Sequence, residues 1–205
     1  GTYLAERLFL KFSLFIDKPE DRSTHKYPTP SAGGIAIIIT FILYLLALLA
    51  LYPANNISHI ILLVSVIPVL IIGSIDDLKK IGVYKRLLVH AFSAVVIVYY
   101  FQIDNNSFIV DFKGQSSYMI VFASVVLSMW LMNLYNFMDG VDGYAATESI
   151  FVALSASLIA YLNNPSSHIY MYLLGFGAAN IGFLIRNWHP AKIFMGDTGS
   201  ISSGC

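Results

Sequence analysis

Charge is what this chain of 205 residues has least of: 12% of its residues are Asp, Glu, Lys or Arg, against 57% hydrophobic and 14% aromatic. At a mean hydropathy of +0.71, so little charge cannot cover the surface of a water-soluble domain, and the composition excludes one. The basic and acidic residues, 12 of each, cancel to a net charge of zero. No basic run supplies an electrostatic footprint for DNA or RNA, so no nucleic-acid partner is expected. Cysteine is confined to Cys205, and one thiol forms no internal disulfide.

What the chain has instead is long uncharged runs. A helix crosses the ~30 Å hydrocarbon core of a bilayer with about 20 apolar residues. Six segments approach that length: Gly33–Tyr52, His59–Ile75, Leu87–Phe101, Tyr118–Leu134, Thr147–Leu162 and Ile169–Ile185. The pattern predicts an all-α, polytopic transmembrane helical bundle of about six spans, with residues 1–205 forming a single integral membrane domain. Pro68 is expected to kink the second span. Gly175, Gly177, Ala178, Ala179 and Gly182 are expected to give the sixth a small-residue face for close packing. Ahead of the spans, Leu4, Leu8, Phe12 and Phe15 alternate with Glu6, Arg7 and Lys11 over Tyr3–Ile16. That spacing reads as an amphipathic helix lying at an interface.

The basic residues set the orientation. Lys18, Arg22 and Lys26, then Lys79, Lys80, Lys85 and Arg86, then Arg186 and Lys192 fall on one side of the predicted spans, and Lys113 alone on the other. By the positive-inside rule the first side is expected to face the cytoplasm. The same side carries Asp76-Asp77, Asp139 and Asp142 in "NFMDGVDG", Asp197 in "FMGDTGS", and the stretch "RSTHKYPTPSAGG" from Arg22 to Gly34. Carboxylates at a bilayer surface are costly unless they hold a metal, a proton or a cationic partner. Charged caps that merely set topology would explain the lysines but not the paired aspartates, so a composite site is expected on this face.

Each motif suggests its own chemistry. Adjacent Asp76 and Asp77 repel unless a divalent cation or Lys79 and Lys80 compensate them, and Mg2+ takes such oxygen ligands while bridging to phosphates. Asn133, Asn136, Asp139 and Asp142 recur every three residues, which on a helix crowds them towards one face. Gly140 and Gly143 allow close approach there. Asp197, between Gly196 and Thr198-Gly199, suits a metal on a tight turn. Phe194 suits stacking on a base, with membrane anchoring as the bland alternative. Lys26 and Thr29, beside His25, suit phosphate contact. His59, His90 and His168 read as structural; His189 is ambiguous.

In this order and spacing, "DKPEDRSTHKYPTPSAGG", "DDLKK", "NFMDGVDG" and "FMGDTGS" resemble the polyprenyl-phosphate N-acetylhexosamine-1-phosphate transferases, glycosyltransferase family 4, over Asp17 to Ser200. The resemblance implies attack by an undecaprenyl phosphate oxygen on the β-phosphorus of a UDP-N-acetylhexosamine, with UMP released and a lipid diphosphate-linked sugar formed. Carried over position by position, Asp197 and Asp76 bind Mg2+ (Mn2+ able to substitute), while Asp77 and Asp139 position or deprotonate the lipid phosphate. Asp142, Asn187 and Phe194 match uridine-holding positions, with Asn136, Lys80, Lys26 and Thr29 around the phosphates. The implied partners are the UDP-sugar, undecaprenyl phosphate, the lipid bilayer and, compatibly, a second copy in a homodimer. The implied location is the inner (plasma) membrane. The wording "RSTH", "YNFMDGVDG" and "NWHPAKIFMGD" is closer to the branch that initiates O-antigen-type polysaccharide than to the peptidoglycan branch. Against about ten or eleven spans in the family, this chain is expected to be an incomplete segment without the first span, the later spans, a histidine-bearing loop and part of the lipid groove. Competing readings are a non-catalytic homologue acting as a membrane interaction protein, and an ion-coupled transporter, whose sites lie nearer the bilayer midplane.

Overall fold

The computed structural model describes residues 1–17, 28–52, 56–103, 117–166 and 168–204. In chain order the elements are α1 (Thr2–Phe12), β1 (Ile16–Asp17), β2 (Thr29–Pro30), α2 (Gly34–Leu51), α3 (Asn56–Leu78), α4 (Val83–Ile103), α5 (Ser117–Met138), α6 (Tyr144–Asn163), α7 (Ile169–Asn187) and α8 (Gly196–Gly204). All six expected spans fall on helices. Five of these, α2, α3, α5, α6 and α7, are long and apolar enough to cross a membrane by length and composition, and α4 takes the remaining expected position. Large apolar side chains such as Leu43, Phe122, Phe151 and Ile185 are exposed on the outside of the bundle, where lipid tails solvate them. The protein is an all-α polytopic membrane bundle.

The helices overrun their apolar runs, most of them at one end of the bundle. There α3 continues through Asp76 and Asp77, α5 through Asn136, and α6 starts at Tyr144 beside the end of α7. Polar residues do not stop these helices because their side chains find partners on other elements. α3 also runs unbroken through Pro68.

Two apolar clusters hold the bundle. Ile37, Phe41 and Leu45 of α2 pack with Ala145 and Ala146 of α6, Tyr172 and Phe183 of α7, and Ile193 and Met195. Val69, Ala94, Met132 and Ile201 join α3, α4, α5 and α8. The short helix α8 is thus the keystone, packed against α2, α3 and α5. Its contact with α2 is backbone to backbone: a Cβ on Gly34 would lie 2.1 Å from both N and Cα of Gly199.

The expected single small-residue face on α7 is corrected. Gly175 meets the ring of Tyr44 on α2, Gly177 meets Ala153 and Leu154 on α6, and Gly182 meets nothing within 4 Å. Gly175 and Gly177 are two residues apart and so point about 200° apart around the helix; they serve two neighbours. The helix α1 is amphipathic in an inverted sense. Leu4, Leu8 and Phe12 are exposed while Glu6 is buried, because the Glu6 carboxylate receives Arg186 Nε at 2.6 Å and Nη2 at 2.7 Å from the end of α7. α1 ends at Ser13 in the left-handed conformation.

Candidate active site

The site begins with backbone pairing near the start of α2. β1 and β2 pair antiparallel, Ile16 with Pro30 and Asp17 with Thr29. The chain from Pro30 to Gly34 then runs beside Phe194–Gly196, with Phe194 N–H donating to Pro30 O at 2.7 Å, Gly33 N–H to Phe194 O and Gly34 N–H to Met195 O, both at 2.8 Å. Gly196 has φ 73°, and a Cβ there would lie 1.8 Å from Ser31 O. Only glycine fits this position. The pairing fixes where α8 starts.

The first turn of α8 presents free amide donors and a positive helix end, and two aspartates, one on α3 and one just beyond α5, satisfy them. Asp77 accepts from Asp197 N–H at 2.8 Å, Thr198 N–H at 3.1 Å and the Thr198 hydroxyl at 2.6 Å. Asp139, just beyond α5, accepts from Gly196 N–H at 2.9 Å. Burial pushes the Asp139 carboxyl up to about 8, with the nearby charges of Asp77 and Asp197 adding to the effect and the Gly196 amide opposing it.

A second layer involves Asp76 and Asp197, which share the guanidinium of Arg86. Asp76 is 1% exposed. Its Oδ1 accepts from Ile81 N–H at 2.5 Å and its Oδ2 from Arg86 Nη1 at 2.9 Å. The same Nη1 is 3.5 Å from Asp197 Oδ2, and Lys80 Nζ is 3.9 Å from that oxygen. Asn136 Nδ2 donates to Asp197 Oδ1 at 2.7 Å and to Ser200 Oγ at 3.1 Å. Desolvation raises the Asp197 carboxyl above the ordinary carboxylate value, as does Asp76, while Asn136 and Lys80 pull it down. Asp77, Lys80, Gly196 and Asp197 face Asp17 and Ser31 across a polar cleft of about 490 Å³, with Phe15, Ile16 and Leu78 at its edge.

Asp76, Asp77, Asn136, Asp139, Asp197 and Lys80 therefore come together. A separate cluster braces the chain between α7 and α8. Asp142 Oδ2 lies 2.9 Å from His189 Nδ1 and accepts from Ala191 N–H at 3.1 Å. Asn187 accepts from Gly143 N–H at 3.0 Å and donates to Ile193 O at 2.9 Å. Phe194 is half-buried in the paired segment, and Thr29 is buried in β2. Lys26 lies outside the described residues. Asn133 does not join the others, because its amide returns to Met129 O of its own helix at 2.8 Å. Steps of three residues rotate a helical side chain by about 300° each, so Asn133 and Asp139 diverge.

Sequence reasoning missed Arg86, read only as a topology determinant, and Thr198, read only as part of a turn. Lys79 and Lys80 were the expected partners of the Asp76-Asp77 pair, but Arg86 makes the close contact to Asp76. Its position ten residues further on, at the start of α4, gave no signal of this. Among the described residues no three His, Cys, Asp or Glu side chains stand close enough to hold a metal by themselves. The Asp76 and Asp197 carboxylates nevertheless fit a hard cation of the Mg2+ kind, which takes one or two carboxylates and completes its shell with water and phosphate oxygens.

Fold and site together define a polytopic helical membrane protein with a carboxylate-rich cleft at one end of its bundle. Residues 59–205 match the family described as glycosyl transferase family 4, and the chain belongs to that family. It is 30% identical to a phospho-N-acetylmuramoyl-pentapeptide-transferase of Wolbachia sp. subsp. Brugia malayi, over 98% of this chain and 68% of the relative. It is also 30% identical to a probable undecaprenyl-phosphate N-acetylglucosaminyl 1-phosphate transferase of Bacillus subtilis, over 99% and 56%. A Kosmotoga olearia phospho-N-acetylmuramoyl-pentapeptide-transferase is 33% identical over 90% and 60%. The chain thus spans between about half and two thirds of the length of these relatives.

Proposed function

We propose that this chain carries the catalytic face of a membrane transferase that moves N-acetylhexosamine 1-phosphate from a UDP-sugar to undecaprenyl phosphate. One observation carries the reading: Asp76, Asp77, Asn136, Asp139 and Asp197, from three helices and one connecting loop, converge on the first turn of α8, where Asp77 and Asp197 line a polar cleft, in a chain belonging to glycosyl transferase family 4. In the reaction an oxygen of the lipid phosphate bonds to the sugar-bearing β-phosphorus, the phosphoanhydride breaks, and the electron pair leaves with UMP.

Two anions must meet, so charge neutralisation is the main task of such a site. A divalent cation held by Asp76 and Asp197 would supply part of it when bound, and Lys80 and Arg86 supply positive charge from the protein itself. Asp77 and Asp139 hold the start of α8 and so set the position of Asp197. Asp77, which lines the cleft, or Asp139 behind it takes the proton of the lipid phosphate. Asp142, Asn187 and Phe194 shape the neighbouring loop as the uridine end of the site. The basic residues on this side of the spans support a cytoplasmic face for the site, and the transferase reading supports a plasma (inner) membrane location.

The motif wording favours the branch that initiates O-antigen-type polysaccharide, whereas the named relatives include transferases of N-acetylmuramoyl-pentapeptide and N-acetylglucosaminyl phosphates. A sugar panel separates these. Purified protein with undecaprenyl phosphate and Mg2+ should release UMP from UDP-GlcNAc or a UDP-N-acetyl-6-deoxyhexose faster than from UDP-MurNAc-pentapeptide. Release that requires the pentapeptide donor would overturn the branch, and no release from any donor would overturn the reaction. A lipid-independent membrane partner role would then be the better reading.

A further inference from the structure

Arg86 stands where an added cation would otherwise be needed. Its single nitrogen Nη1 contacts Asp76 Oδ2 at 2.9 Å and Asp197 Oδ2 at 3.5 Å, so one positive group serves both carboxylates. The other oxygens are taken: Asp76 Oδ1 by the Ile81 amide and Asp197 Oδ1 by Asn136. The two oxygens facing Arg86 are therefore the pair free to turn towards a metal. The Asp76 side chain is 1% exposed, whereas that of Arg86 is 26% exposed at the start of α4. The cationic member of the pair has a route outwards; the buried carboxylate does not.

We propose that Arg86 is a built-in counter-cation, holding Asp76 and Asp197 together when no metal is bound and giving up their Oδ2 atoms when a divalent cation arrives. This rests on the reading of Asp76 and Asp197 as cation ligands. Cation binding is then an exchange of one positive group for another. A buried and a half-buried carboxylate without a compensating charge would repel each other and disorder the start of α8. The guanidinium prevents this between turnovers, and its release places a positive group at the mouth of the cleft, where a phosphate would sit. The exchange also weakens apparent metal affinity, because only the fraction of molecules with Arg86 swung away can take up the ion.

The test compares the full chain in detergent with its Arg86→Gln variant, titrating Mn2+ alone and following thermal unfolding and Mn2+ binding by electron paramagnetic resonance. Without metal the variant should unfold on the order of 5 °C lower. It should bind Mn2+ about tenfold more tightly, and at saturating Mn2+ the two melting temperatures should converge. A deficit that persists at saturation makes Arg86 a permanent structural partner and overturns the exchange while leaving the metal site intact. Absence of any Mn2+ binding or stabilisation in both proteins overturns the cation-ligand reading itself. Should Arg86→Gln not fold, the unmodified chain decides the matter. Phenylglyoxal labelling of Arg86, read by peptide mass spectrometry, should rise several-fold with Mn2+, and unchanged or slower labelling overturns the exchange.

Discussion

Replacing Thr198 with valine keeps the shape of the side chain and deletes one hydroxyl, which makes it a clean probe of how α8 is held. Thr198 is fully buried, and its hydroxyl donates to Asp77 Oδ2 at 2.6 Å, with a longer 3.4 Å approach to Ser74 Oγ. A hydrogen bond to an ionised carboxylate contributes about 1.5–3 kcal/mol, and Asp77 keeps two amide donors when the hydroxyl goes. A loss of about 2 kcal/mol is expected, or roughly 4–8 °C in melting temperature for a chain of this size. Asp77→Asn should cost more, about 3 kcal/mol, because its amide nitrogen would face N–H donors that now face oxygen. With Asp77 already neutral, the Thr198 hydroxyl has much less to bind, so the double variant should be about 1 kcal/mol more stable than the two single losses added together. Thermal unfolding of all four proteins in detergent without divalent metal measures the coupling. Additivity within about 0.3 kcal/mol would refute the capping role of Asp77.

Gly34→Ala should be poorly tolerated, because its Cβ would lie 2.1 Å from the Gly199 backbone; a displacement of about 1 Å in α8 would reduce UMP release by about 10²-fold, and Gly182→Ala, which meets nothing, serves as the control. Metal-free stability should fall as pH rises from about 4 to about 8. Asp139 binds its proton more tightly folded, near 8, than at the ordinary value of 3.8, so the native state holds the extra proton across that window. Asp139→Asn keeps an acceptor for Gly196 and should remove that part of the slope in melting temperature against pH. Finally, all four aspartates should be needed for transfer but for different reasons: Asp76→Asn and Asp197→Asn should abolish stabilisation by Mg2+, whereas Asp77→Asn and Asp139→Asn should lower the metal-free melting temperature and still respond to the ion.

The helical bundle was legible because lipid-facing and core-facing positions are both apolar, so a span announces itself by length alone whatever its neighbours. The same uniformity hid the packing. Nothing in the α7 sequence says that a Cβ on Gly175 would meet Tyr44 while one on Gly182 would meet no described residue within 4 Å, since both lie in equally apolar surroundings. The acidic motifs stood out because charge is scarce, and three of them do meet at the start of α8. Their partners were harder to see. Arg86 belongs to a basic cluster that topology alone explains, and the Glu6 to Arg186 pair joins residues 180 positions apart. No local pattern encodes a contact of that range.

The arrangement at α8 ties the fold to the chemistry more closely than a list of acidic residues suggests. Asp77 and Asp139 already accept backbone donors, so both are committed to the helix start they hold. Among the described residues, Asp76 and Asp197 have side-chain cations facing their remaining oxygens. Of four carboxylates, two therefore build the platform and two are left with oxygens that can turn to a new partner. Positioning of Asp197 depends on the first pair, because its own amide is one of the donors that Asp77 holds. If Asp197 is a cation ligand as proposed, its backbone, fixed by a neighbouring carboxylate, would keep it in place whenever its charge is transiently unbalanced by an anionic substrate entering or a product leaving.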